Sequence, residues 1–490
     1  MPVRDGTRLG CDLSLPGRTA RDPAPGKYPA ILANYTPYYK LRNSVTMSDG
    51  ALFSTRGYAM LTCSVRGTGD SQGTYSGCCA RDHELLDGYD LIEWMARQPW
   101  SNGRVGMEGD SYGGLTSLGV AALHPPHLQA VAPQQPPSDL YKDYVYPGGM
   151  KTTPGKYDIW PTAVSDMSDR PELGAAVEAE WLAHPNYDNY WRSIAYSSKL
   201  YPKVVVPTLL IQAGRPDNYF RGSLNANYKS LIKGRRNAWM IVGPWAHGGW
   251  SGATPPRLPP TILIAWFDRF LAGRPGAPTP GSHVVSYQEP QGAGAGWQSL
   301  NTWPTAKRPQ ESGRTRLYLA AGRALQERPG GAASTRFSGQ MPTGSSGFSG
   351  QPPTTTAGTS VLYISDPKPA PMTIRGEIGV HLRASSSGKD ANLYAEVWDV
   401  ASDGTAIFLS DGSLKASHRE TLAASRKISP GHFYDFNFSI WPVDWTLAAG
   451  HRLELRLSGG AIDFFLTPTT PPPAVTVAMG GSDPSYLSLP

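Results

Sequence analysis

Short apolar runs alternate with amphipathic segments along the first 135 residues. Two runs, 28–35 and 58–65, contain aromatic or β-branched residues and are bounded by Gly or Pro, as buried strands are. Over 84–99 the apolar residues recur at helical spacing until Pro99, and a further strand-like run follows at 103–111. This order of strand, helix and strand predicts a parallel sheet with helices on its faces.

The same alternation returns at 206–214, 224–233 and 237–245, after a segment rich in Tyr, Trp and Pro. That segment carries one predicted helix, at 174–184, and we interpret it as an insertion. From about 311 onward, short period-two segments separated by turn signals predict an all-β sandwich. The predicted divisions are 1–137 and 201–310 for the two halves of the α/β core, 138–200 for the insertion and 311–490 for the sandwich.

Composition narrows the class of protein. At 490 residues the chain is too long for one core, and its 45 Lys and Arg are scattered among 39 Asp and Glu, which argues against nucleic-acid binding. An apolar leader and a long apolar run are both missing from the sequence, so we expect a cytoplasmic protein without a membrane partner. Cys11, Cys63, Cys78 and Cys79 lack metal-ligand spacing, so we expect a reducing compartment with buried or idle thiols, and no metal. We also expect no cofactor.

A Gly-x-Ser-x-Gly pentapeptide, Gly109 to Gly113, lies between a predicted strand and a predicted helix. In that context the serine of such a motif is a nucleophile exposed on a tight turn, and the glycines leave room for the neighbouring strand and helix. The alternative is a glycine-rich turn in which Ser111 caps the helix. The sequence around the motif favours Ser111 as a nucleophile.

A serine nucleophile needs a base, and the base needs an orienting carboxylate. In this topology the acid and then the histidine follow later strands, and Asp217 and His247 each come just after a predicted strand. Asp139 and Asp188 are weaker candidates because neither follows a convincing core strand. Seven of the nine other histidines fall beside prolines or in the β region, namely His124, His127, His184, His381, His418, His432 and His451.

Several stretches resemble the cocaine esterase and X-Pro dipeptidyl-peptidase group of serine hydrolases. The matching segments span most of residues 3–249, and the strand-rich tail resembles the C-terminal jelly-roll of that family; among them are TPYYK, SVRGTGDSQGTY, DGYDLIEWMARQPWSNGRVGMEGDSYGG and VGPWAHG. The resemblance implies an α/β-hydrolase core, an inserted cap and a jelly-roll β-sandwich packed beside the active site.

The resemblance also implies an oxyanion hole. In the family a tyrosine after an early Pro joins the amide that follows the nucleophile, and the matching positions here are Tyr38 and the backbone of Tyr112, with Tyr39 as the alternative tyrosine. A phenol held in a dry site is a suitable donor to an oxyanion. The sequence departs from the family at 214–217, where Gly-Arg-Pro-Asp replaces the usual Gly-Trp-Tyr-Asp, and at Ser64, so the resemblance does not carry over a substrate.

The sequence therefore predicts a serine hydrolase that cleaves a small-molecule carboxylic ester or amide through an acyl-enzyme. An X-Pro dipeptidyl-peptidase and an acyltransferase use the same triad and are the alternatives among enzymes. An inactive scaffold and a carbohydrate-binding protein are the alternatives outside enzymes. The sequence leaves homo-oligomer formation open.

Overall fold

The protein is described by a computed structural model. The described residues are 1–19, 22–38, 42, 49–75, 82–152, 159–214, 217, 222–251, 256–274, 282–290, 296–304, 314–340, 358–461 and 469–490. None of the described helices is long and apolar enough to cross a membrane.

Among the described part of the first 300 residues, nine strands form one sheet and two more form a small hairpin. In chain order the strands are β1 (Cys11–Ser14), β2 (Gly17–Thr19), β3 (Asp22–Pro23), β4 (Tyr28–Thr36), β5 (Ala59–Ser64), β6 (Ser101–Asp110), β7 (Leu128–Gln134), β8 (Thr208–Ala213), β9 (Ala238–Gly243), β10 (Val284–Gln288) and β11 (Gly296–Leu300).

The strand order in the large sheet is β1-β5-β4-β6-β7-β8-β9-β10-β11. The edge strands β1 and β11 pair antiparallel with their neighbours, and the strands between them are parallel. The predicted parallel sheet is confirmed. Because parallel strands end at one edge, the loops after β4, β6, β7, β8 and β9 meet there.

Helices cover both faces of this sheet. The helices are α1 (Asp82–Ala96), α2 (Tyr112–Ala121), α3 (Ile159–Met167), α4 (Pro171–Ala183), α5 (Asn189–Ser193), α6 (Tyr196–Lys199), α7 (Ser223–Asn227) and α8 (Thr261–Phe270), and residues 49–54 are also helical. Apolar side chains of α1 and α2 pack with Leu32 and Met107 on one face, and Phe267 of α8 packs with Ile31 and Ala132 on the other. The helix predicted at 84–99 is thus confirmed as α1.

The described residues between β7 and β8 form four α-helices, α3 to α6, where the sequence predicted only the helix that is α4. The prediction was incomplete because α5 and α6 are short and rich in aromatic residues, which have weak helix propensity. Buried aromatic rings stabilise this segment instead. Trp191 of α5 lies with its ring centroid 5.4 Å from Tyr141 and 6.3 Å from Trp181 of α4.

The C-terminal domain is an antiparallel β-sandwich with its own apolar core. Its strands are β12 (Thr315–Ala320), β13 (Ala324–Gln326), β14 (Ala333–Ser338), β15 (Ser360–Ser365), β16 (Met372–Ser386), β17 (Asn392–Val400), β18 (Ala406–Lys415), β19 (Tyr434–Leu447), β20 (Arg452–Ser458), β21 (Ala474–Met479) and β22 (Tyr486–Leu489). The short pair of β13 and β15 is parallel. The tract 344–358, rich in Gly, Ser and Thr, lies outside the described residues except for Gly358.

Backbone hydrogen bonds join the two domains where β10 ends. The N–H of Glu289 donates to the carbonyl of Asp444 at 3.0 Å, and the N–H of Thr446 donates to the carbonyl of Glu289 at 2.7 Å. The side-chain amide of Gln288 also donates to the hydroxyls of Thr373 (3.2 Å) and Thr446. Strand β19 of the sandwich therefore continues the hydrogen bonding of the core sheet.

Two cysteines that we expected to be idle thiols are bonded to each other. Cys11 of β1 lies directly opposite Cys63 of β5, with 4.1 Å between the Cα atoms, and their sulfur atoms form a disulfide. Our interpretation of these two cysteines is wrong because sheet register brings together residues that are 52 positions apart. They no longer support a reducing compartment, while Cys78 and Cys79 lie outside the described residues, so the cytoplasmic location stays a prediction.

A buried ion pair ties β5 to α1. The guanidinium of Arg66, just after β5, donates two hydrogen bonds of 2.6 Å to the carboxylate of Asp87, whose side chain is 1% exposed. Arg66 also reaches Asp5 at 3.1 Å. Loss of the cation would leave the Asp87 carboxylate buried without a counter-charge, which is costly in a protein interior.

We therefore expect Arg66→Met to lower the free energy of unfolding by about 3–5 kcal/mol at neutral pH. The control is Arg4→Met, because Arg4 forms an exposed pair with Asp90 and such pairs contribute about 1 kcal/mol or less. Equilibrium unfolding in urea measures both variants. Equal losses in the two variants would contradict the prediction.

Candidate active site

Ser111 occupies a strained turn between β6 and α2. Its backbone has φ 57° and ψ −112°, a left-handed conformation that residues with side chains rarely adopt. Its N–H donates to the carbonyl of Gln134 at 2.9 Å, and its carbonyl accepts from Leu115 at 3.0 Å. The strand, turn and helix that the sequence predicted around Ser111 are therefore present.

The glycines around Ser111 are required because neighbouring atoms leave no space for a Cβ atom. A Cβ atom at Gly109 would lie 2.7 Å from the Cα of Gly113, and one at Gly113 would lie 2.8 Å from Oδ1 of Asn34. At Gly114 a Cβ would lie 2.6 Å from the carbonyl oxygen of Gln134. Helix α2 thus approaches β6 and its neighbours too closely for any side chain at these positions.

Asp217 and His247 meet beside this turn. Asp217 follows β8 and is fully buried, His247 follows β9, and Nδ1 of the imidazole lies 3.4 Å from Oδ2 of the carboxylate. The two loops are also joined by a hydrogen bond of 2.8 Å from the N–H of Gly214 to the carbonyl of Gly243. Residues 215–216 and 218–221 on the Asp217 loop lie outside the described residues.

The end of β6 brings Ser111 to the His247 loop. A carboxylate oxygen of Asp110 lies 3.5 Å from the place where Gly248 would carry a Cβ, so the residues next to Ser111 and His247 are neighbours. Among the described residues, no hydrogen bond links the hydroxyl of Ser111 to His247. Contacts between a nucleophile and its base often tighten only when substrate binds.

Asp110 is a half-buried residue with one buried carboxylate oxygen, and sequence reasoning missed it. Its backbone N–H donates to Oδ1 of Asn34 at 3.0 Å, but its own Oδ1 has no hydrogen-bond partner among the described residues. Burial and the neighbouring Asp217 raise the pKa of Asp110 to about 6, although His247 acts in the opposite direction. The signal in the sequence was an acidic residue inside an otherwise buried strand end.

The charge of His247 depends on both carboxylates. Burial lowers the pKa of His247, but Asp217 and Asp110 together outweigh it, so the pKa lies above the ordinary value of 6.5. A neutral imidazole accepts a proton, and the imidazolium that results is stabilised by the same two negative charges. The environment of His247 therefore suits a general base, because it stabilises the protonated imidazole.

Tyr112 begins α2, so its backbone N–H lies next to Ser111. Its side chain is fully buried, and its hydroxyl donates to Oε2 of Glu84 at 3.0 Å and lies 3.3 Å from the hydroxyl of Tyr75. Burial and the carboxylate of Glu84 raise the pKa of Tyr112 well above its ordinary value. The side chain of Tyr112 is thus an anchor in the core, which leaves its backbone N–H as the group available to an oxyanion.

Tyr38 lies beside Tyr112. The two rings meet edge to face, with 5.9 Å between their centroids, and the N–H of Tyr38 donates to the hydroxyl of Thr36 at 3.2 Å. The side chain of Tyr38 is half-buried at this edge of the sheet. Tyr39, the alternative tyrosine, lies outside the described residues.

The rival acids and bases are engaged elsewhere. Asp188 caps α5 and lies 2.6 Å from Nδ1 of His184, and Asp139 pairs with Lys142 at 2.9 Å and accepts from Tyr187 at 2.7 Å. In addition, His124 contacts the carbonyl of Lys203, and His127 contacts Glu93. None of these contacts lies at the Ser111 turn.

One cluster in the sandwich has metal-ligand spacing. Nε2 of His381 lies 4.0 Å from Asp435 and 3.9 Å from Asp483. The guanidinium of Arg383 lies 3.4 Å from the first carboxylate and 3.2 Å from the second. Because Arg383 already supplies the positive charge between the two carboxylates, this cluster does not need an ion.

The fold and the Ser111 turn define a serine hydrolase of the α/β-hydrolase class with a C-terminal β-sandwich. The chain matches the model of the X-Pro dipeptidyl-peptidase (S15) family over residues 5–249 and that of the X-Pro dipeptidyl-peptidase C-terminal non-catalytic domain over 278–488. It belongs to this family, within which it resembles the CocE/NonD hydrolases.

Relatives of the whole chain carry esterase and peptidase names. The cocaine esterase of Rhodococcus sp. (strain MB1 Bresler) is 26% identical, covering 94% of this chain and 89% of the relative. A putative serine esterase of Mycobacterium tuberculosis is 24% identical, covering 100% and 94%. The crystal structure of an aminopeptidase from a Thaumarchaeota archaeon matches with a TM-score of 0.83 at 19% identity, covering 100% and 95%, which shows the shared fold.

The two carboxylates around His247 generate a prediction about pH. Asp110→Asn should move the acidic limb of the kcat/KM profile to lower pH, because loss of one negative charge lowers the pKa of His247 and keeps the base neutral in more acidic solution. Hydrolysis of a neutral ester across the acidic range measures the limb. Asp90→Asn, in an exposed pair with Arg4, is the control, and an unmoved limb in Asp110→Asn would contradict the prediction.

Proposed function

We propose that this protein hydrolyses carboxylic esters through an acyl-enzyme formed on Ser111, with His247 as the base and Asp217 as its acid partner. The observation that carries the proposal is the left-handed turn at Ser111, placed at the sheet edge where the His247–Asp217 pair also lies. A backbone held in this strained form exposes the hydroxyl above the sheet, where a carbonyl carbon can reach it.

In the first step His247 takes the proton of the Ser111 hydroxyl as its oxygen attacks the ester carbonyl. The tetrahedral oxyanion accepts hydrogen bonds from the backbone N–H of Tyr112 and the hydroxyl of Tyr38. The C–O bond to the leaving alcohol then breaks, and the imidazolium returns its proton to that alcohol. Water repeats the sequence on the acyl-enzyme and releases the acid.

Asp217 supports each step without reacting. Its carboxylate is fully buried and faces Nδ1 of His247, so it orients the ring and stabilises the imidazolium. Two negative charges near one imidazole also favour proton transfer from the serine to the histidine.

A peptidase is the second candidate. The matched family model is named for X-Pro dipeptidyl-peptidases, and such an enzyme would use the same three residues on an amide. We favour an esterase because relatives named as esterases cover 94% and 100% of this chain. An acyltransferase would differ in transferring the acyl group to an acceptor other than water.

Fluorophosphonate labelling tests the nucleophile. We expect Ser111→Ala to abolish both labelling and ester hydrolysis while the melting temperature stays unchanged, because the substitution removes the attacking oxygen alone. A panel of p-nitrophenyl esters and X-Pro anilides then separates an esterase from a dipeptidyl-peptidase.

His247→Ala should also lose activity, whereas His184→Ala should not, although His184 belongs to a similar His–Asp pair. Labelling of the Ser111→Ala variant at the wild-type rate would overturn the proposal. A wild-type protein that neither labels nor hydrolyses any ester or anilide would favour a scaffold or carbohydrate-binding role.

The oxyanion hole gives a separate prediction. Tyr38→Phe removes one hydroxyl and almost no volume, so kcat should fall by roughly 10²–10³-fold with little change in KM. Steady-state kinetics on a p-nitrophenyl ester measure the effect, with Tyr39→Phe as the matched variant. A larger loss in Tyr39→Phe would assign the donor to the adjacent tyrosine.

A further inference from the structure

The side chain of Gln135 forms hydrogen bonds with the loop that carries His247. The amide of Gln135 donates from Nε2 to the carbonyl of Ala246 at 3.2 Å, and its Oε1 accepts from the backbone N–H of Gly248. The two bonded residues are the immediate neighbours of His247 on either side. A single amide therefore spans the backbone of the candidate base.

Gln135 is itself fixed in an unusual conformation. It follows β7, is fully buried, and has φ 45°, in the left-handed region that residues with a side chain rarely adopt. Its N–H donates to the carbonyl of Ile211 in β8 at 2.7 Å. The backbone of Gln135 is thus anchored to the strand that leads to Asp217, while its side chain holds the loop of His247.

A neutral primary amide suits this place. The loop presents one acceptor, the carbonyl of Ala246, and one donor, the N–H of Gly248, and glutamine offers a donor and an acceptor on one planar group. A carboxylate would lack the donor, and an ammonium would lack the acceptor. Gly248 has φ 74°, so the donor N–H lies in a turn with a left-handed backbone, which glycine adopts readily.

We propose that Gln135 is a positioning residue for His247, and that its amide holds the imidazole within reach of both Ser111 and Asp217. The proposal rests on the proposed function of His247. The contact of 3.4 Å between Nδ1 and Asp217 is at the long end for a hydrogen bond, so this contact alone fixes the ring weakly. The bonds from Gln135 restrain the backbone on both sides of the ring.

Gln135→Met tests the proposal because methionine keeps the length of the side chain and removes both hydrogen bonds. We expect kcat for a p-nitrophenyl ester to fall about 10- to 100-fold with KM unchanged, since a displaced base weakens the chemical step and not substrate binding. The rate of fluorophosphonate labelling should fall by a similar factor. The matched control is Gln288→Met, which loses two hydrogen bonds at the domain junction and should keep the wild-type kcat.

A double-mutant cycle distinguishes positioning from a general structural role. In the His247→Ala background, Gln135→Met should cause no further loss, because Gln135 acts through the histidine. An equal loss in both backgrounds, or a wild-type kcat in Gln135→Met alone, would overturn the proposal. Wild-type activity in His247→Ala would instead overturn the proposed function.

Gln135→Glu provides a second variant if the methionine protein does not fold. It keeps the acceptor for Gly248 and loses the donor to Ala246, so we expect a smaller loss of kcat. Its added carboxylate would join Asp110 and Asp217 near His247, so the acidic limb of the pH profile should move to higher pH. An unchanged kcat together with an unmoved limb would show that residue 135 does not act on His247.

Discussion

The close approach of helix α2 to the end of strand β6 is the constraint on which the candidate site depends. It leaves no room for side chains at Gly109 and Gly113 and forces Ser111 into a left-handed conformation. Left-handed residues also occur on the two strands that flank β6: Asn34 (φ 44°) lies in β4, and Gln135 (φ 45°) follows β7. Each then contributes a side-chain amide, Asn34 to the end of β6 and Gln135 to the histidine loop.

The same end of β6 also carries two acidic side chains, one of them close to the candidate base. The strand that leads to Ser111 carries Glu108 and Asp110 on one face, and Glu108 is buried while Asp110 is half-buried. Burial raises the pKa of each, so negative charge there is costly unless a cation is close. His247 is the group beside Asp110 that can become a cation, so protonating the base relieves the cost of the carboxylates around it.

The parts of the fold that depend on neighbours in sequence were predictable. The helical spacing that becomes α1 and the glycines around Ser111 are local signals, because each reflects contacts within a few residues or one turn. The pairing of Cys11 with Cys63 was not predictable, since it depends on which residues of β1 and β5 lie opposite each other. The role of Gln135 was hidden for the same reason: its partners are 111 and 113 positions away.

The junction between β10 and β19 has a consequence for how this chain can change in evolution. Strand β10 pairs with β9, which leads to the histidine loop, and Glu289 at its end bonds to the backbone of the sandwich. A chain cut at this point would expose unpaired backbone groups and the apolar surface beside them. A hybrid that takes its core from one relative and its sandwich from another would therefore join two strand ends that were never selected to fit each other.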